Sequence, residues 1–142
     1  MNRIRFGKTE LQVSELAFGG IPIMRLPREE AVSLVRYAIE RGINFIDTAW
    51  GYGDSEEKIG AAVRGLPRDE IVLSSKSPAS DKKTFTEHLD TCLKRVGTDH
   101  FDIYHLHNVS TREKMEAVFA PGGALEGLTD AVKAGKVRFP AF

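Results

Sequence analysis

Four short apolar runs end at nearly even intervals along this chain, near Phe18, Asp47, Ser75 and Leu106. Intervals of roughly 30 residues are the length of a βα unit. Between the runs, apolar residues recur at helical spacing. The first stripe is Ala31, Leu34, Val35, Ala38 and Ile39, the second Ile59, Ala62 and Val63, the third Leu89, Cys92, Leu93 and Val96. Strands alternating with helices predict parallel pairing, and short apolar strands suit a sheet covered by helices.

The punctuation agrees with that reading. The expected strands are Val13 to Phe18, Asn44 to Thr48, Ile71 to Ser75 and Phe101 to Leu106. Pro27-Arg-Glu-Glu opens the first helix and Gly42 stops it, with proline and acids placed where a first turn favours them. Asp54 with Glu57, and Thr84 with Glu87, have the spacing of capping boxes. Gly65 and Gly97 close those helices. Helices over about Thr111 to Phe119 and Ala124 to Ala134 follow, and Val137-Arg-Phe begins a fifth strand. An open doubly wound sheet and a (β/α) barrel both fit. The G-x-G-x-x-G dinucleotide fingerprint is missing after the first run, which counts against the former.

Lys+Arg and Asp+Glu number 20 each. That balance gives no sign of a nucleic-acid or anionic-membrane partner, since both need clustered basic charge. Cys92 is the lone cysteine, so neither an internal disulfide nor a cysteine zinc site can form. A reducing, cytoplasmic location is expected. The N-terminus lacks the apolar core of a signal peptide, and no run approaches the ~18 apolar residues of a membrane span.

In a parallel barrel the C-terminal strand ends open on one face, where active sites sit. Asp47, Lys76 and His107 stand at such ends, and Tyr52 lies in the loop after Asp47. A phenol titrates near about 10, and a neighbouring ammonium would lower that value. A carboxylate would orient the ammonium, and an imidazole could hydrogen-bond an oxygen that gains negative charge. Singly, each residue has a plainer reading: Asp47 as a cap, Tyr52 as a surface aromatic, Lys76 as a solvated charge, His107 as a structural histidine. His105 is a rival for the imidazole role, because residues two apart share a strand face. A metal on His105 and His107 is disfavoured by Lys76, and no metal is expected.

Phe45-Ile-Asp-Thr-Ala-Trp-Gly-Tyr-Gly-Asp-Ser-Glu-Glu-Lys-Ile-Gly60 resembles the aldo-keto reductase segment that carries the catalytic aspartate and tyrosine. Leu73-Ser-Ser-Lys76 resembles its lysine strand, and Asp102-Ile-Tyr-His-Leu-His-Asn108 its histidine strand. Phe6 to Gly20 is similar to the family's opening. Ala120-Pro-Gly-Gly-Ala-Leu-Glu126 resembles a bacterial subgroup, some of whose members carry a C-terminal iron–sulfur segment. The resemblance implies a TIM-type (β/α)8 barrel of which residues 1–142 form the N-terminal half: four βα units and the start of a fifth strand. It implies NADP(H)-dependent reduction of a carbonyl to an alcohol. Tyr52 would be the general acid, Lys76 would lower its pKa, Asp47 would hold Lys76, and His107 would orient the carbonyl. Asp47 and Gly20 would border the cofactor and Trp50 the substrate, whereas Tyr104 reads as a packing residue. Where the family continues its fifth strand, this chain reads Pro140-Ala-Phe142, so a truncated or frameshifted chain is expected. Its uncovered sheet edges predict self-association or a place in a longer chain. The competing expectation is therefore an inactive half-barrel or an oligomerising interaction module.

Overall fold

The computed structural model describes residues Met1–Phe142 and contains seven strands and five α-helices. Strands β1 (Arg3–Arg5) and β2 (Gln12–Ser14) form an antiparallel hairpin. The other five, β3 (Ala17–Gly19), β4 (Phe45–Asp47), β5 (Val72–Ser77), β6 (Phe101–Leu106) and β7 (Val137–Ala141), form one parallel sheet in the order β3-β4-β5-β6-β7. Each crossover leads to the next neighbour, so the order never reverses. A doubly wound sheet has a point where it does, and the chain is accordingly a singly wound, partial (β/α) barrel.

The helices are α1 (Arg28–Glu40), α2 (Ser55–Val63), α3 (Lys82–Val96), α4 (Arg112–Phe119) and α5 (Ala124–Lys133). The larger core joins their apolar stripes to Ile46, Leu73, Tyr104 and Leu106 on one sheet face. A smaller cluster covers the other face, where Leu11 and Val13 of the hairpin region meet Val72 and Ile103, flanked by Phe45 and Phe139. Strand alternation separates the two sets. Tyr104 is fully buried between Phe85 and Phe101, with its hydroxyl 3.3 Å from the Cys92 sulfur, so packing is its role. No helix is long and apolar enough to cross a membrane.

Several expected boundaries move. The run from Val13 to Phe18 is two strands, because the Ser14 hydroxyl turns onto the Leu16 carbonyl and its N–H donates to the buried side chain of Asn44. Neither capping box forms. The Asp54 carboxylate is spent on Lys58 at 2.7 Å, and Lys58 in turn donates to the carbonyls of Ile23 and Leu26. The N-cap of α3 is Asp81, which accepts from the Thr84 N–H at 2.9 Å. Strand β5 runs two residues further than expected, so Lys76 lies inside it. Pro140 continues β7 instead of ending it, which its position on an edge strand permits.

Candidate active site

Asp47 is the last residue of β4 and pairs in register with Ser74 of β5, while Lys76 pairs with His105 of β6. These positions share the sheet face that carries the smaller cluster, one layer nearer the strand ends. The Lys76 ammonium lies 2.5 Å from Asp47 Oδ2, and the Ser74 hydroxyl donates to Asp47 Oδ1 at 2.8 Å. Since that hydroxyl proton is committed to Asp47, the contact of 3.2 Å between Ser74 Oγ and His105 Nε2 requires His105 to donate. Asp47 therefore gathers Lys76 directly and His105 through Ser74.

Tyr52 and His107 complete the cluster from two loops. His107 follows β6, and its N–H donates to the Ser77 carbonyl at 2.8 Å. Asn108 then turns the chain with a left-handed φ of 58°. The turn from Ala49 is closed by the Tyr52 N–H donating to the Ala49 carbonyl. The Lys76 ammonium sits 5.5 Å from the Tyr52 ring centroid, and the His107 ring meets Tyr52 edge-on at 6.0 Å. All four residues singled out from the sequence thus converge, with His105 deeper.

The electrostatics depart from one expectation. The Tyr52 pKa is raised, first by burial and second by the Asp47 charge, where Lys76 was expected to lower it. The reason is positional: the ammonium faces the ring and is closely neutralised by Asp47. His107 is pushed down by burial, then by Lys76 and Lys114, with Asp47 opposing. His105 is lowered by burial and Lys76. The cluster holds a protonated phenol beside two imidazoles biased to the neutral form. Neither the Tyr52 hydroxyl nor the His107 ring makes a hydrogen bond within the chain, so both remain open to a ligand.

Trp50 lies on the same loop, stacked on His88 at 3.8 Å between ring centroids. Gly20 is packed: an added Cβ would lie 2.5 Å from Ser55 Oγ. Its N–H donates to the Asp47 carbonyl and its carbonyl accepts from the Ser55 hydroxyl. Ser74, which links His105 to Asp47, was missed from the sequence, although its place two residues before Lys76 puts it on the same face.

The aldo/keto reductase family model matches residues 15–141. A probable aldo-keto reductase of Glycine max is 28% identical, over 96% of this chain and 43% of its own length. The NADH-specific methylglyoxal reductase of Escherichia coli is 28% identical, over 97% of this chain and 50% of its own. A crystal structure of the Klebsiella pneumoniae aldo-keto reductase in complex with NADPH superposes with a TM-score of 0.81 at 30% identity, covering 99% of this chain and 49% of that one. The chain spans about half the length of these relatives.

Proposed function

The chain belongs to the aldo-keto reductase family, and from that premise we propose that it carries the proton-donating side of a nicotinamide-dependent carbonyl reductase, with Tyr52 as general acid, His107 as carbonyl-orienting donor, and Lys76 and Asp47 as their support. The observation that carries this reading is the pairing of a free phenol hydroxyl and a free imidazole beside a Lys76–Asp47 ion pair.

The residues fit the reactive end of such a cofactor. They offer hydrogen-bond donors around an open inner face, and Asp47 and Gly20 would border the nicotinamide, Gly20 by van der Waals contact because its polar groups are spent. They offer less to the phosphates. Lys76 is held by Asp47, Lys114 donates to the Pro78 carbonyl, and Arg95 pairs with Glu56. NADP(H) is favoured by the Klebsiella complex, while the Escherichia coli relative keeps NADH open. When bound, the reduced nicotinamide supplies a hydride.

The chain's own residues handle the oxygen. His107, neutral and with free ring nitrogens, donates to the carbonyl oxygen and fixes its direction. Tyr52 gives its proton to that oxygen as negative charge develops. Like any phenol it is protonated near neutrality, the form reduction needs, and because burial and Asp47 raise its pKa the donation relies on the hydride arriving as the proton leaves. Lys76, locked on Asp47, compensates the phenolate that remains. Trp50 would line the substrate side.

The test is NADPH and NADH titration followed by nicotinamide oxidation with a small aldehyde such as methylglyoxal. Tyr52→Phe should lose about 10²–10⁴-fold in rate with cofactor binding retained. An undiminished rate removes the role from Tyr52. Absence of binding by either cofactor favours a second reading, a half-barrel that acts by association. That reading is supported by the free edges of β3 and β7. It expects a dimer or larger species in light scattering, and a monomer at high concentration opposes it.

A further inference from the structure

The Tyr52 backbone is held in its turn, its N–H donating to the Ala49 carbonyl and its carbonyl accepting from the Ser55 N–H, but its side chain has no such tie. Gly51 and Gly53 flank it, the latter with φ 52°, and glycine leaves a loop its widest conformational freedom. Its hydroxyl makes no hydrogen bond, and its ring lies 5.5 Å from the Lys76 ammonium and edge-on to His107. Two residues earlier the loop is tied on every side. The Trp50 N–H donates to the Lys76 carbonyl at 3.0 Å. The Trp50 carbonyl accepts from Arg95 Nη1 at 3.2 Å. One ring face stacks on His88, with 16° between the planes, and the Arg95 guanidinium lies 6.0 Å from the ring centroid.

His88 and Arg95 are seven residues apart on α3, two turns along one helix face. Both are themselves fixed. His88 Nδ1 is 2.9 Å from the Ser77 hydroxyl, which accepts from the Ala79 N–H. Arg95 is gripped by Glu56 at 3.2 Å and Glu57 at 3.3 Å, and the fully buried Glu56 accepts from the Ser75 hydroxyl. A planar ring, a cation and a backbone acceptor thus meet where the glycine-flanked tyrosine needs an anchor. We infer that His88 and Arg95 are positioning residues for Tyr52, acting through a clamp on Trp50. The inference rests on the functional reading above only for the use to which Tyr52 is put.

The chain has one tryptophan and three tyrosines, so each part of the clamp has its own signal. In protein labelled with ¹³Cζ-tyrosine, the Tyr52 resonance is identified by its loss in Tyr52→Phe. In His88→Ala and Arg95→Met, Trp50 emission should move to the red and lose anisotropy. The Tyr52 resonance should shift to its unfolded-chain position, and its titration midpoint should fall toward about 10. The Tyr37 resonance should stay in place in both variants and that of Tyr104 in His88→Ala, since Arg95 acts on Tyr104 directly. His88→Phe and Arg95→Lys, which keep a ring and a cation, should restore both signals. A released Trp50 with an unmoved Tyr52 resonance overturns the inference. So does, in His88→Ala, a Tyr104 shift as large as that of Tyr52, which marks general loosening. If the alanine or methionine variant does not fold, Trp50→Leu read by the same resonance decides: an unmoved Tyr52 overturns the clamp. None of these readouts needs turnover, so they stand or fall separately from the effect of Tyr52→Phe on reduction.

Discussion

Charge placement around Asp47 sets the state of three neighbouring groups with opposite consequences. Its carboxylate adds to the raising of the Tyr52 pKa and opposes the lowering of His105 and His107. Asp47→Asn should therefore lower all three. The Tyr52 midpoint falls because a nearby negative charge no longer disfavours phenolate, and because Lys76 loses its partner. It stays above the ordinary value, since burial is the larger cause. Lys76→Met should raise His105 and His107 instead. Tyrosine ¹³Cζ and histidine ring-proton titrations would read all of these, and a Tyr52 midpoint that rises in Asp47→Asn would refute the electrostatic account. That Asp47, Tyr52, Lys76 and His107 gather was legible in the sequence because strand ends can be counted for three of them and the motifs around all four resemble one family's. The Ser74 link was less so: a serine inside a strand gives no apolar periodicity. Nothing in spacing alone tells that the ammonium would face a ring and not a hydroxyl.

At the scale of elements, the helices were read well where apolar stripes carried them and poorly where short polar motifs did. The box spacing at Asp54 and Thr84 was present, but other partners prevailed: Lys58 one turn on took the Asp54 carboxylate, Arg95 of α3 took Glu57, and Asp81 capped α3 ahead of Thr84. Strand β1 was missed since its Arg-Ile-Arg alternation runs for only three residues, too few to register, and none of them is buried. The crossing of α2 on α3 depends on Gly60, where an added Cβ would sit 2.3 Å from the Val96 carbonyl oxygen and 2.8 Å from its Cα. Alanine in a helix interior normally gains roughly 1 kcal/mol over glycine. Here the obstacle is backbone at the end of α3, which cannot rotate aside. Overpacking of this kind costs about 1–3 kcal/mol, so Gly60→Ala should be a net destabilisation. A urea titration followed by far-ultraviolet circular dichroism should show a lower midpoint with unchanged slope. An equal or higher midpoint would mean that the two helices can part at no cost.

For the molecule as a whole, even spacing of strand ends made the βα repeat legible; the spacing alone left barrel and doubly wound sheet open, the missing G-x-G-x-x-G and the family resemblance favoured the barrel, and the neighbour order of the strands agrees. The same sheet, with polar groups sunk into its faces and under its helices, fixes how stability follows pH. His88, His105 and His107 all have depressed pKa values, in each case chiefly from burial. Above the unfolded value of about 6.5 folded and unfolded chains are alike neutral at these sites. Below it the unfolded chain binds protons that the folded chain refuses, so stability falls as pH falls. Asp81, Asp99 and Asp130, all lowered by hydrogen bonds to their neighbours, extend the loss below about 4. The alkaline side reverses the roles. Burial raises Cys92, Tyr52 and Tyr104, so the folded chain retains protons that the unfolded chain releases, first from the thiol above about 8.5. Stability should therefore be greatest between about 7 and 8 and decline on both sides. Urea midpoints measured from pH 5 to 10 at low protein concentration, so that the reading is of the single chain, would test this. A midpoint that stays level from pH 7 to 5 would mean that the three imidazoles gain protons in place, and that the strand-end cluster is wetter than its packing implies.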